Sequence, residues 1–113
     1  MTKTIPSRTS RDLKAKAGQV ADLLRTLAND RRLLILCRLV ECGEATVGQL
    51  ADDVELSQSA LSQHLARMRE EGLVVFRRDA QTLWYRIADP RIEQLMTELH
   101  RLFCRATPAT RHD

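Results

Sequence analysis

Two sets of side chains in this 113-residue sequence have the types and spacing to do chemistry. The first lies in the run LSQSALSQHLARM, residues 56–68, which is crowded with Ser and Gln around repeated Leu. Gln and Ser exchange hydrogen bonds with base edges in a DNA major groove, and Arg contacts guanine or phosphate. The second set is the three cysteines, Cys37, Cys42 and Cys104. A thiolate is a nucleophile and a metal ligand, whereas a cysteine packed among apolar groups is simply a small hydrophobe. Cys42 follows Cys37 by five residues, about 140° around a helix, so the two face different ways.

On a helical wheel, Leu61, Leu65 and Met68 form one stripe that can pack on the rest of the domain. Ser59, Ser62, Gln63 and Arg67 fall largely on the other side, with Gln58 in the first turn and Ser57 as the N-cap. Hydroxyls and amides at a helix N-terminus are natural phosphate contacts. An ordinary surface helix would favour Glu and Lys here for propensity. Carboxylates instead appear only at Glu70 and Glu71, as a face approaching phosphates requires. His64 either touches the DNA backbone or packs at the helix edge. The stretch RRDAQT brings Arg77, Arg78 and Gln81 to a turn, for a groove or backbone contact or merely to protect a strand edge.

Catalysis has no comparable constellation. Gly18, Gly43, Gly48 and Gly72 form no phosphate-cradling loop, and Asp52 and Asp53 are adjacent residues expected to be solvated. The chain is read as a non-enzyme without a cofactor. A net charge of +3 suits an anionic partner without establishing one. An odd cysteine count and a polar, basic start without an apolar export segment suggest the cytoplasm. No apolar run approaches the roughly 20 residues that span a bilayer, so no membrane partner is expected.

The elements that must position these groups follow from spacing and caps. Leu13, Ala17, Val20, Leu24 and Leu27 predict an amphipathic helix from Asp12 to Leu27. Asn29 can cap a second helix, DRRLLILCRLVEC, whose apolar circumference makes it the expected centre of the core, with Gly43 ending it. Thr46 caps a short third helix, VGQLADDV, with Gln49 in the capping-box position. ELS turns the chain into the Ser57-capped helix, which runs to Gly72. LVVFRR and TLWYRI, separated by DAQ, read as a hairpin in which Trp84 and Tyr85 pack. Asp89 and Pro90 open a last helix with Ile92, Leu95, Met96, Leu99, Leu102 and Phe103 on its apolar side.

The fold class is therefore mainly α with a small β-hairpin: a winged helix-turn-helix in the order α-α-α-α-β-β-α. A flexible arm is expected over residues 1–11, the domain over 12–106, and a flexible tail holding His112 over 107–113. One reading helix covers only a few base pairs, so useful affinity calls for a dimer. The one-sided terminal helices are the natural dimer surface, unless they close the core of a monomer.

LANDRRLLILCRLV, LSQSALSQHLARMREEGLVVFRRDAQTLWYRI and LHRLFC together resemble the ArsR/SmtB-type winged-helix repressors, over roughly Val20 to Cys104. Within that family the chain is most similar to the HlyU, BigR and SqrR branch. The resemblance implies a homodimer binding an inverted-repeat operator in double-stranded DNA. It also implies a thiol switch at Cys37 and Cys104, which match the branch's two cysteines, with oxidants or reactive sulfur species as inducers. Cys42 is left without a role.

The resemblance also tests metal sensing. VGQLADDVELS holds no cysteine or histidine, Arg91 stands where an Asp-x-His motif would place a ligand, and His100 is nearly alone. No metal site is therefore assigned. The alternatives are a metal- or metalloid-responsive repressor of the same family, or a winged-helix interaction module that binds no DNA.

Overall fold

The computed structural model describes the backbone of residues 7–104 and the side chains of residues 12–103. The expected tail with His112, and the side chain of Cys104, lie outside the described residues. The chain divides into two compact units, Met1–Asp30 and Arg31–Asp113.

The first unit carries helix α1 (Ser7–Leu27). It begins within the stretch expected as an arm over residues 1–11. SRTSR contains no Gly or Pro to break a helix, and the last such residue before it is Pro6. On the apolar stripe of α1, Leu13, Val20 and Leu24 are 67%, 44% and 52% exposed, whereas Leu27 is buried.

The second unit runs α2 (Asp30–Cys42), β1 (Ala45–Thr46), α3 (Val47–Val54), α4 (Gln58–Glu70), β2 (Val74–Asp79), β3 (Thr82–Ile87) and α5 (Pro90–Leu99). A π-helical turn, His100–Cys104, continues α5. Gly43 ends α2 in the left-handed region, with φ +81°. Its left-handed backbone turns the chain away from the helix axis. Asp89 caps α5, accepting from the Arg91 amide at 2.9 Å, with Pro90 in the first turn.

The hairpin is the outer part of a three-stranded antiparallel sheet in the order β1-β3-β2. The expected order lacked β1, in which Ala45 pairs with Tyr85 and Thr46 with Trp84. Two residues are too few to show a period of two, and Thr46 is also the N-cap of α3. The two-residue turn Ala80–Gln81 joins Asp79 to Thr82. Ala80 adopts φ +57°, a conformation usually left to Gly or Asn in such turns.

The core is built from Ile35, Leu36 and Leu39 of α2, Leu50 of α3, Leu61, Leu65 and Met68 of α4, and Ile92 of α5, none above 1% exposed. Among the described residues no polar or charged side chain is buried. Helix α2 is central as expected, although Leu34 leaves the core and is exposed. Leu102 and Phe103, expected on the apolar side of the last helix, are likewise exposed.

Three arginines of α2 fix the helix-turn-helix from behind. Arg31 Nη1 donates to the Val54 carbonyl at the end of α3 at 3.2 Å. Arg38 pairs with Asp53 of α3. Arg32 forks onto both oxygens of Glu71, the C-cap of α4, at 2.7 and 3.1 Å.

Candidate functional site

Helix α4 divides as its sequence suggests. Leu61, Leu65 and Met68 are fully buried, while Gln58, Ser59, Ser62, Gln63 and Arg67 are exposed. Ser57 Oγ accepts the Ala60 amide at 3.0 Å, which caps the helix and commits that oxygen's lone pair locally. The amides of the first turn lack intrahelical acceptors and point the positive end of the helix outward. His64 is half-buried and lines a shallow concavity with Ala60, Gln63 and Arg67. From residue 58 to residue 69 the helix carries no carboxylate.

Helix α3 holds α4 at its angle. The capping box at its start is complete: the Gln49 amide donates to Thr46 Oγ1 at 3.2 Å, and the Thr46 amide to Gln49 Oε1 at 3.0 Å. Glu55 at its other end turns left-handed, with φ +59°, and the Leu56 amide closes back on the Ala51 carbonyl.

On the wing, Arg77 and Arg78 part company. The Arg77 guanidinium donates to both Glu44 oxygens at 2.8 and 2.9 Å and lies 5.6 Å from the Trp84 ring centre. Arg77 holds the Glu44 carboxyl below its ordinary range. It thereby fastens the wing to the segment leading into β1. Arg78 and Gln81 are exposed at the tip, and Arg78 makes no ion pair among the described residues.

The cysteines also separate. Cys42 is exposed, and its thiol donates to the Arg38 carbonyl at 3.0 Å. It lines a cleft with Arg38, Glu44, Asp52, Asp53 and Trp84. Cys37 is half-buried on another side of α2, beside Glu41 and His100. One ligating atom from each of these three lies within 4.8 Å of the others. His100, nearly alone in the sequence, has its Nε2 2.7 Å from Glu41 Oε2, although 59 residues separate them. Arg38 donates to the other Glu41 oxygen at 2.7 Å. The hydrogen bond from Arg38, then that with His100, holds the Glu41 carboxyl below its usual range. Glu41 was not singled out in the sequence, and the only available signal was its position one helical turn after Cys37. Cys104 ends the π-helical turn that carries His100.

Residues 29–75 match the sequence profile described as bacterial regulatory protein, arsR family. The transcriptional activator HlyU of Vibrio cholerae is 44% identical over 84% of this chain and 87% of its own. The biofilm growth-associated repressor of Xylella fastidiosa is 40% identical over 89% of this chain and 88% of its own. The crystal structure of the transcriptional regulator HlyU from Vibrio vulnificus CMCP6 superimposes with a TM-score of 0.78 at 42% identity, covering 85% of this chain and 99% of that one.

Proposed function

This chain belongs to the arsR family of bacterial regulatory proteins and is a DNA-binding transcriptional regulator, not an enzyme, and from that premise we propose how it reads DNA and what switches it. Residues 12–106 form the DNA-binding and dimerisation domain. Two copies join through their terminal helices and present two α4 helices to an inverted repeat. The observation that carries this reading is the α4 face: exposed Gln58, Ser59, Ser62, Gln63 and Arg67, free of carboxylates, over a buried Leu61, Leu65 and Met68. Gln63 and Ser62 read base edges, Ser57, Ser59 and His64 approach phosphates, and Arg78 and Gln81 reach the backbone from the wing.

The switch is the thiol pair Cys37 and Cys104. The Cys37 thiolate attacks the outer sulfur of a polysulfide or persulfide, displacing a thiolate or hydrosulfide and becoming a persulfide. The Cys104 thiolate then attacks, giving a disulfide with loss of hydrosulfide, or a longer bridge when further sulfur has been added. An oxidant acts through a sulfenic acid and loss of water instead. A crosslink between α2 and the end of the last helix favours one spacing of the two α4 helices. A differential of about 1.4 kcal/mol is already a tenfold change in operator affinity.

Intact-mass and peptide mass spectrometry after treatment with a polysulfide donor tests the switch, alongside binding to the chain's own promoter fragment. A linked Cys37–Cys104 peptide with at least tenfold weaker binding is expected. Absence of any Cys37–Cys104 link, with DNA binding unchanged, ends the switch proposal. DNA binding itself is tested by salt, because neutralising phosphates makes affinity fall steeply as salt rises.

A further inference from the structure

We propose that Cys37, Glu41 and His100 form a binding site for one thiophilic divalent cation of the zinc type. The inference is independent of the thiol-switch reading. Cys37 and Glu41 are four residues apart on α2, so one helix face presents both. The π-helical turn at His100 brings a third donor to that face, with all three ligating atoms within 4.8 Å of one another. In a tetrahedral zinc site the metal–ligand lengths are about 2.3 Å to sulfur and about 2.0–2.2 Å to nitrogen and oxygen. Those lengths put ligand atoms about 3.2–3.8 Å apart. The three groups are thus within rotamer adjustment of ligating one ion together.

The donor set selects the ion. One thiolate, one imidazole and one carboxylate form a borderline-soft set that suits zinc and excludes magnesium or calcium, which take oxygen shells. Arg38 occupies only one Glu41 oxygen, at 2.7 Å, and leaves Oε2 turned to His100. Binding replaces the 2.7 Å hydrogen bond between His100 Nε2 and Glu41 Oε2 with two bonds to the ion, the Nε2 proton passing to Nδ1 by exchange with solvent. Cys37 loses its thiol proton to solvent as the sulfur–metal bond forms, and no electron is transferred. The fourth position is left to water or another donor.

Cobalt(II) is the spectroscopic probe, added under argon to the reduced full-length chain without DNA or sulfur donor. One ion per chain, a sulfur-to-cobalt charge-transfer band in the near ultraviolet and tetrahedral d–d bands are expected. Cys37→Ser should abolish the charge-transfer band. Glu41→Gln and His100→Gln should each weaken binding at least about tenfold. Cys42→Ser should change neither readout. Zinc(II) should slow alkylation of Cys37 by iodoacetamide at least about tenfold while Cys42 alkylates unimpeded, and far-UV circular dichroism checks that each variant folds. A charge-transfer band that survives in Cys37→Ser, no band in the wild type, or unweakened binding in both Glu41→Gln and His100→Gln overturns the site. Since the titration contains no sulfur donor and no operator, it succeeds or fails separately from the switch.

Discussion

In the proposed reading Gln63 and Arg78 hold DNA in two different ways, and the difference is measurable. Gln63 is exposed in mid-α4 and lines, with His64 and Arg67, the concavity against which the proposed reading sets a major-groove base edge. A bidentate amide contact discriminates one base from another by about 1–3 kcal/mol. Arg78 is exposed at the wing tip, and the proposed reading sets its charge against phosphates whatever the sequence. Fluorescence anisotropy over a panel of single-base operator variants should therefore separate them. Gln63→Ala should relax specificity at one position in each half-site. Arg78→Ala should weaken all operators alike and reduce the slope of log affinity against log salt by about one per bound chain. Arg77→Ala should instead act on stability, since its guanidinium is already held by Glu44 and stacked near Trp84. Adjacent arginines in the sequence carry no sign of this division, because Glu44 lies 33 residues away.

At the scale of elements, the sequence was most legible where a cap or a period marks the structure. The bounds of α2 and α3, the Thr46–Gln49 capping box, the Ser57 cap and the buried stripe of α4 all follow from local side-chain chemistry. Strand β1 was not legible, since pairing with β3 depends on residues 40 and 38 positions away and two residues show no alternation. The arginines of α2 were equally silent: ArgArg in a helix looks like solubility, yet Arg32 reaches the C-cap of α4. The Arg32 side chain is only 11% exposed and Glu71 is half-open, so this ion pair is better shielded from solvent than an ordinary surface one. Glu71→Gln should destabilise the fold by about 1 kcal/mol at pH 7 in urea unfolding. Arg32 lowers the Glu71 carboxyl pKa in the folded state through its hydrogen bonds. The stabilisation is therefore complete above the unfolded carboxyl pKa of about 4.3 and disappears as pH falls through the lower folded value. The wild type should lose stability more steeply than Glu71→Gln below about pH 4, and the two unfolding free energies should converge. A gap that persists unchanged to pH 2.5 would show that the effect of Glu71 is not its charge.

For the whole molecule, the apolar residues left uncovered decide the proposed assembly. The α1 residues Leu13, Ala17, Val20 and Leu24 are spaced by four, three and four, a seam of the kind that pairs helices, and all four are exposed in the single chain. Leu102 and Phe103, at the other end of the sequence, are exposed as well. An isolated surface leucine is commonplace, whereas in the proposed assembly a partner copy covers this four-residue stripe, because a single reading helix spans only a few base pairs. Pairing makes the second half-site contact intramolecular, and the gain in avidity reaches about 10²–10⁴ without any new contact to DNA. Leu24→Glu places a charge in the middle of that seam and leaves the sequence of α4 and of the wing unchanged. Sedimentation equilibrium should show the variant as a monomer at concentrations where the wild type is a dimer, with unchanged far-UV circular dichroism. Its affinity for a full inverted repeat should fall at least about a hundredfold, while its weak affinity for an isolated half-site stays the same. Loss of affinity for the half-site too would mean that α1 supports the reading helix itself. Dimers that persist with Leu24→Glu would move the interface to the last helix, where Phe103→Glu is the corresponding substitution.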